Sequence, residues 1–132
     1  IYTIIYGHAV DQIDPLNPIK ENLKLWVRPY YVIPYNNDSG LIEFVDDTRT
    51  VSYLKEKSGE KSLKNIYKQI FGLNWEAAVT NFIQSLAGYS LIQYIFCIKD
   101  RHNNNILIDT HGHIIHIDYS FIISSSPGNM GF

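Results

Sequence analysis

Apolar and polar positions along the chain predict three helices and two hairpins. The longest pattern predicts a helix from about Trp75 to Ile98, because large apolar residues recur on one face of its first half at spacings of 4, 3 and 4. In its second half, residues 91–98 are apolar nearly all round. We therefore expect this end of the helix to be buried against other elements.

Two shorter helices are predicted before the long one. Thr48 is the expected N-cap of a helix that runs to about Lys57, and the pattern breaks at Gly59. Ser62 is the expected N-cap of the next helix, and Gly72 lies just past its end. Both helices are followed by a glycine, the residue type that most readily ends a helix.

Aromatic and β-branched stretches predict the strands. Residues 25–34 predict a strand interrupted by Pro29, and residues 41–45 predict its antiparallel partner after a turn rich in Asn and Gly. A second hairpin is predicted over residues 106–117, with its turn at a glycine. Residues 1–6 predict one further strand, followed by a loop that contains two prolines.

Composition narrows the class of protein. The chain has 132 residues, of which 45% are hydrophobic and 18% charged, and its formal net charge is −2. This balance is typical of one small globular domain, excludes a coiled coil, and gives no reason to expect nucleic acid as a partner. The single cysteine, Cys97, excludes an internal disulfide framework. No apolar run approaches the roughly 18 residues that a membrane span needs. The two ends, Ile1 and Phe132, are interpreted as those of a fragment.

The densest polar segment lies between the long helix and the second hairpin. Residues 99–105 are all polar, and four residues separate Asp100 from Asn105 within them. Asp118 follows 13 positions later, at the end of the hairpin. Mg²⁺ prefers hard oxygen ligands and leaves much of its coordination to phosphates and water, so two carboxylates and an amide suit phosphate chemistry. A carboxylate that is left free can accept a hydroxyl proton. Protein kinases use the same order of groups.

A simpler interpretation is that Asp100 and Asn105 cap a turn, which is the usual role of an isolated pair at this spacing. The apolar helix before them and the hairpin that ends at Asp118 make a chance match much less frequent, because the pattern then fixes three polar positions and three apolar stretches in order. The sequence therefore favours a phosphate-transfer site over a turn alone.

These motifs resemble a known family of enzymes. DRHNNNIL at residues 100–107, followed by GHIIHID at residues 112–118, closely resembles the catalytic and metal-binding loops of phosphatidylinositol 3- and 4-kinases. Residues 81–89 and 121–132 are most similar to the beta type of the type III phosphatidylinositol 4-kinases. Residues 25–30, together with residues 39–43, resemble the strands that lead into the hinge of these kinases, so that the resemblance covers about residues 23–132.

The resemblance implies an α+β, protein-kinase-like fold with two lobes, of which this chain would contain the hinge and the catalytic part of the C-lobe. Residues 1–22 match the family poorly. Residues 23–47 would be N-lobe strands and the hinge. Residues 48–132 would be C-lobe helices, the catalytic loop and the start of the activation loop. No segment resembles the family's strand with the ATP-phosphate lysine.

The resemblance also implies roles for the polar residues. Asp100 and His102 would lie at the inositol hydroxyl as the catalytic pair, and which of the two accepts the proton stays open. Arg101 would support the loop or a phosphate. Asn105 and Asp118 would hold Mg²⁺ against the phosphates of ATP.

An adenine site is implied as well. The Glu43 carbonyl and the Val45 amide would bond the edge of the purine at the hinge. A flat purine also needs apolar walls, and the resemblance assigns four residues to them: Tyr30, Ile42, Leu107 and Ile117. Without the resemblance, these four residues would be equally well explained as ordinary core.

The implied activity is the transfer of the ATP γ-phosphate to the 4-hydroxyl of phosphatidylinositol in membranes, with ATP and Mg²⁺ as cofactors. The implied location is cytoplasmic and peripheral on intracellular membranes of the Golgi type. Two alternatives stay open: a phosphatidylinositol 3-kinase, and a catalytically inactive kinase-like module. The second is motivated by Tyr119-Ser120, which stand where the family has Phe-Gly. Serine there would lose the glycine's freedom at positive φ.

The histidines and lysines allow further interpretations. His116 and Asp118 have the spacing of two ligands in an iron facial triad, with His102, His111 and His113 nearby in the sequence. We favour a different interpretation, in which His111 and His113 flank an exposed turn while His116 is buried and hydrogen-bonded. The lysines at positions 55, 57, 61, 64 and 68 are better explained as a solvated face than as a lipid-binding surface.

Overall fold

The computed structural model describes residues 24–123 and combines helices with two small sheets. The strand predicted at residues 1–6 and the activation-loop segment 124–132 lie outside the described residues. The elements in chain order are β1 Val32–Pro34, β2 Gly40–Ile42, β3 Thr48–Thr50, α1 Val51–Ser58, α2 Leu63–Phe71, a 3-10 turn Gly72–Asn74, α3 Trp75–Phe96, β4 Ile106–Asp109 and β5 Ile114–His116. Among the described residues, no helix is long and apolar enough to cross a membrane.

The long helix α3 is confirmed, but the expected burial of its second half is wrong. Tyr89 and Ile92 face the core, while Leu91, Tyr94 and Ile95 are 46%, 84% and 57% exposed. The cause is that the described elements pack on one side of this helix only, with β5 and α2 as its main neighbours. The helix ends at Phe96, and its C-cap, Cys97, adopts a left-handed backbone.

The caps of the shorter helices were predicted with one error. Helix α2 runs between Ser62 and Gly72, as predicted. Helix α1 begins after Thr50, whose hydroxyl accepts the Tyr53 amide at 3.0 Å, so Thr48 is not its N-cap. Thr48 lies instead in β3, where its hydroxyl donates to the Val45 carbonyl at 2.7 Å. Pairing with β4 therefore determines the backbone at Thr48.

The first hairpin is shorter than predicted. Strands β1 and β2 pair in antiparallel register with Val32 opposite Ile42, and all six strand residues are exposed. Residues 24–31 form no strand, although residues 25–34 predicted one. This segment runs alongside α3 instead, where the Trp26 amide donates to the Gln84 carbonyl at 3.2 Å.

The contact between this segment and α3 is close enough to require a glycine. A Cβ at Gly88 would lie 2.6 Å from the Trp26 carbonyl oxygen. One residue further, the Tyr89 hydroxyl lies 3.2 Å from both the amide and the carbonyl of Arg28. The Tyr89 ring also stacks on His116, with centroids 4.6 Å apart. The segment, α3 and β5 are thereby joined.

The second sheet has the order β3-β4-β5 and supports the polar loop. Ile106 is opposite His116, which confirms the second predicted hairpin. Ser85, fully buried in α3, accepts the Ile114 amide of β5 at 2.9 Å. Gly112, in the β4–β5 turn, has a φ of +89°, and a Cβ there would lie 2.7 Å from the Ala78 side chain. These contacts place the hairpin directly on α3.

Candidate active site

The polar loop that links α3 to β4 is held at both of its ends. The Lys99 amide donates to the Phe121 carbonyl at 2.9 Å, and the Ile123 amide donates to the Phe96 carbonyl at 2.9 Å. On the other side, the Ser52 amide at the start of α1 donates to the Asn103 carbonyl at 3.1 Å. A loop fixed to a rigid scaffold in this way presents its side chains in defined positions.

Asp100 and His102 form an exposed pair on this loop. The Asp100 Oδ2 lies 3.6 Å from the His102 Nε2, and the side chains are 31% and 52% exposed. The Asn104 amide donates to the His102 Nδ1 at 3.3 Å. The Asn105 side-chain nitrogen lies 3.4 Å from the His102 Nε2, the nitrogen that faces Asp100. Because both side chains of the Asp100–His102 pair are partly exposed, a substrate hydroxyl can reach them from solvent.

Asn105 is buried beneath this pair. The Asn105 side-chain nitrogen donates to the backbone carbonyl of Asp100 at 3.0 Å. The backbone carbonyl of Asn105 accepts the Ile117 amide at 3.1 Å. Among the described residues no donor reaches its Oδ1, so that oxygen is available to a ligand. Because the Ile117 bond continues the ladder of β4 and β5 by one step, it also brings Asn105 beside the backbone that leads into Asp118.

Asp118 carries an ionised carboxylate at neutral pH. Its pKa lies below the usual range, mainly because the Ser120 hydroxyl and then the Ser120 amide donate to the carboxylate, with smaller effects of the same sign from Arg101 and His102. Both Asp118 and Asp100 have a positive φ, 56° and 61°. Asp tolerates this region better than most residues, and such backbones are concentrated at functional sites.

Arg101 joins the two halves of the site. Its Nε donates to the Lys99 carbonyl at 2.8 Å, and its terminal nitrogens donate to the carbonyls of Ile117, at 2.7 Å, and of Asp118. The planar guanidinium has donors in a fixed arrangement, so it can satisfy several carbonyls at once. The role of loop support is consistent with this geometry, but the three acceptors could not be identified from the sequence.

The donor set suits a hard cation better than iron. The Asp118 carboxylate and the Asn105 amide supply oxygens, the ligands that Mg²⁺ prefers. Within residues 24–123, no three His, Cys, Asp or Glu side chains form a group that could hold a metal. The histidines of the iron alternative are dispersed: His113 bonds Asp109 at 2.9 Å and stacks on Trp26, with centroids 3.9 Å apart. A site with two protein oxygens would need phosphates or water to complete its coordination.

His116 is buried, as expected, and its environment keeps it neutral. Only 3% of it is exposed. Burial, and then the charge of Arg101, lower its pKa to about 4. The expected hydrogen bond is not found at its Nδ1, which has no partner among the described residues. Its ring stacks on Tyr89 instead, so its role in the described structure is to pack the sheet on α3.

The residues assigned to the adenine site fall into two groups. Tyr30, Leu107 and Ile117 lie around one core, and Leu107 is only 7% exposed. Ile42, by contrast, lies on the exposed face of the hairpin, with 70% of its surface accessible. The structure therefore brings three of the four wall residues together and leaves Ile42 apart from them.

The two residues assigned to the hinge differ in exposure: Glu43 is exposed, whereas Val45 is buried in the core, with 8% of its surface accessible. The Glu43 amide donates to the Tyr31 carbonyl at 2.8 Å, and the Glu43 carboxylate accepts the Tyr31 amide at 2.7 Å. Among residues 24–123, no hydrogen-bond partner occupies the Glu43 carbonyl or the Val45 amide. A cavity of about 270 Å³ between β3 and helices α1 and α2 contains none of the predicted site residues.

Comparison with known proteins identifies a family and several relatives with similar sequences. Residues 72–132 match the model of the phosphatidylinositol 3- and 4-kinase family. A phosphatidylinositol 4-kinase of Dictyostelium discoideum is 46% identical over 131 residues, which cover 94% of this chain and 11% of that protein. The phosphatidylinositol 4-kinases beta of Danio rerio and Xenopus tropicalis are 46% and 47% identical over 117 and 116 residues. Those alignments cover 86% and 85% of this chain and 14% of each relative. The chain thus spans only a small part of the relatives that it matches.

Proposed function

The chain belongs to the phosphatidylinositol 3- and 4-kinase family, and we propose that it is part of the catalytic domain of a phosphatidylinositol 4-kinase. The whole protein transfers the γ-phosphate of ATP to the 4-hydroxyl of the phosphatidylinositol headgroup. The names of the relatives favour the 4-hydroxyl over the 3-hydroxyl. In this proposal, residues 23–47 are N-lobe strands and the hinge of a two-lobed kinase, residues 48–132 begin its C-lobe, and residues 1–22 have no assigned role.

One observation carries the proposal. The exposed Asp100–His102 pair lies next to Asn105, which bonds the Asp100 carbonyl on one side and the Ile117 amide, next to Asp118, on the other. A hydroxyl acceptor and a set of oxygen ligands for a cation are thereby held on one loop and one strand end. Phosphoryl transfer needs this juxtaposition, because its catalysis is almost entirely positioning and electrostatic stabilisation.

The residues divide the chemistry between them. Asp100 or His102 accepts the proton of the inositol hydroxyl as that oxygen attacks the γ-phosphorus. The bond from the γ-phosphorus to the oxygen that bridges it to the β-phosphate breaks, ADP leaves, and no phosphorylated enzyme forms. Asn105 and Asp118 hold Mg²⁺, which when bound neutralises charge on the phosphates. Arg101 keeps the loop and the Asp118 backbone in register through its three carbonyl acceptors.

The nucleotide is bound by the hinge and the core. The carbonyl of Glu43 and the amide of Val45 bond the adenine edge. The lack of a hydrogen-bond partner for these two backbone groups among the described residues supports this assignment. Tyr30, Leu107 and Ile117 provide its apolar walls, and Ile42, which lies apart from them on the exposed hairpin, is the fourth wall residue. The enzyme acts as a peripheral protein on intracellular membranes of the Golgi type, a location that rests on the resemblance to the beta-type relatives.

Offering both acceptor classes to the whole protein tests the proposal. The protein receives labelled ATP, vesicles that contain phosphatidylinositol and a generic protein substrate, and vesicles without phosphatidylinositol serve as the control. We expect label on the lipid, with headgroup analysis placing it on the 4-hydroxyl. Label on the protein and none on the lipid would refute the lipid kinase. A 3-phosphate product would refute the 4-hydroxyl and leave the kinase assignment intact.

A further inference from the structure

The residues after Asp118 carry two hydroxyls that the family's usual Phe-Gly pair lacks. The Tyr119 hydroxyl donates to the His116 carbonyl at 2.9 Å. The Ser120 hydroxyl donates to the Asp118 Oδ1, and the Ser120 amide donates to the same oxygen at 3.2 Å. One hydroxyl therefore bonds the proposed metal ligand itself, and the other bonds the backbone two residues before it.

The Tyr119 ring is itself held between two elements. The Arg101 guanidinium carbon lies 5.6 Å from the ring centroid, and the Tyr30 ring stacks on it with centroids 6.2 Å apart at an interplanar angle of 14°. A phenylalanine could occupy the same position, but it could not make the bond to His116. The tyrosine hydroxyl thus adds a hydrogen bond to a ring that already packs against Arg101 and Tyr30.

Serine at position 120 does not strain the backbone. Among the described residues, positive φ values occur at Asp118 and at four other non-glycine positions, and Ser120 is not one of them. The loss of glycine's conformational freedom therefore has no cost in this arrangement. Its side chain instead contacts one carboxylate oxygen of Asp118 and leaves the other to a cation.

We propose that Tyr119 and Ser120 are positioning residues, which hold the Asp118 carboxylate in the orientation that binds the metal ion before the ion arrives. This inference rests on the proposed role of Asp118 as a metal ligand. Arg101 fixes the backbone of Asp118, Tyr119 fixes the strand end that precedes it, and Ser120 fixes its side chain. Outer hydrogen bonds of this kind orient metal ligands, and removing one typically lowers metal affinity 10- to 100-fold.

The test measures metal binding rather than turnover. The whole protein is titrated with Mn²⁺ in the presence of a non-hydrolysable ATP analogue, and free Mn²⁺ is counted by electron paramagnetic resonance. We expect Ser120→Ala to raise the Kd for Mn²⁺ about tenfold, Tyr119→Phe to raise it by a smaller factor, and Ser120→Thr, which keeps the hydroxyl, to stay near wild type. Ser58→Ala, at the distant end of α1, is the matched control, and its Kd should equal that of the wild type.

The possible results separate the inference from the function on which it rests. If Asp118→Asn abolishes Mn²⁺ binding while Ser120→Ala leaves the Kd within twofold of wild type, the positioning role is wrong and the metal-ligand assignment stands. If Asp118→Asn leaves Mn²⁺ binding unchanged, both the metal-ligand assignment and the positioning role are wrong. A Ser120→Thr variant as weak as Ser120→Ala would also contradict the positioning role, because the hydroxyl would then not be the active feature. A thermal unfolding curve for each variant identifies any that fail to fold. If Ser120→Ala fails to fold, Ser120→Cys takes its place, with the same expected result.

Discussion

The polar loop and the first hairpin differ in how completely the chain determines them. In the loop and its neighbours, Arg101 bonds carbonyls on both sides of the site, and the side chains of Asn105 and Ser120 bond Asp100 and Asp118. Hydrogen bonds between described residues therefore define the geometry of the loop. In the hairpin, every residue of β1 and β2 is exposed, and the two strands pair only with each other among the described residues. A two-stranded hairpin alone is marginally stable. The metal and acceptor half of the proposed site is thus built within this chain, whereas the described residues do not enclose the adenine half.

Replacement of the proposed metal ligand should have the largest effect. We expect Asp118→Ala to lower the turnover of the whole protein at least ~10³-fold, because the carboxylate would hold the cation whose positive charge offsets the negative charge that develops on the phosphate. Asp38→Ala, in the exposed turn of the first hairpin, is the matched control and should keep its turnover. Wild-type turnover and an unchanged Mg²⁺ dependence in Asp118→Ala would contradict the assignment.

Truncation of one apolar residue in each region compares their packing. Leu107→Ala removes a side chain that is 7% exposed, and we expect it to lower the free energy of unfolding by about 2–5 kcal/mol. Ile42→Ala removes one that is 70% exposed, and we expect a change within about 0.5 kcal/mol together with a higher KM for ATP. Denaturant titration of the whole protein measures the free energy of unfolding of its catalytic domain, and initial-rate kinetics measure the KM for ATP. Equal losses of stability would mean that the hairpin is as well packed as the core.

Acid should weaken the second sheet through His116. Because burial lowers the pKa of His116 to about 4, the unfolded chain binds a proton at His116 in a pH range where the folded chain does not. The stability that the neutral ring contributes is therefore complete above pH 6.5 and is lost as the pH falls from about 6.5 to 4. Between pH 7.5 and 5 the loss is about 2 kcal/mol.

Thermal unfolding at the two pH values measures this loss. The His116→Phe variant keeps a ring against Tyr89 and has no group to titrate, so it serves as the control and should lose less stability on acidification. If the variant and the wild type lose the same amount, His116 does not titrate in the way that its burial predicts.

The sequence predicted the elements whose cause is local. The helix at Trp75–Phe96, the turn at Gly112 and the polar loop follow from periodicity, a glycine with positive φ and a run of polar residues. It failed where a distant partner decides the conformation. Thr48 has the chemistry of an N-cap but pairs with Asp109 in β4, so the cap moves to Thr50. Similarly, no periodicity could show that only one side of the helix at residues 91–96 meets other described elements.

For the site, the sequence indicated the candidate residues but not the hydrogen bonds that join them. The spacing of Asp100, Asn105 and Asp118 was enough to suggest phosphate chemistry, and these residues do lie on one loop and the adjoining strand end. The hydrogen bonds of Arg101 to the carbonyls of Ile117 and Asp118, and of Ser85 to the Ile114 amide, join residues that are 15 or more positions apart. Sequence patterns carry no direct record of such contacts.

A structure of the whole protein with Mg²⁺ and a non-hydrolysable ATP analogue tests the central claim most directly. The account predicts that oxygens of Asn105 and Asp118 lie about 2.0–2.1 Å from Mg²⁺, with the Glu43 carbonyl and the Val45 amide at the adenine edge and the Asp100–His102 pair beside the γ-phosphate. Mg²⁺ and phosphates held by residues outside this loop and strand end, with Asp118 and Asn105 making no contact to the ion, would contradict it.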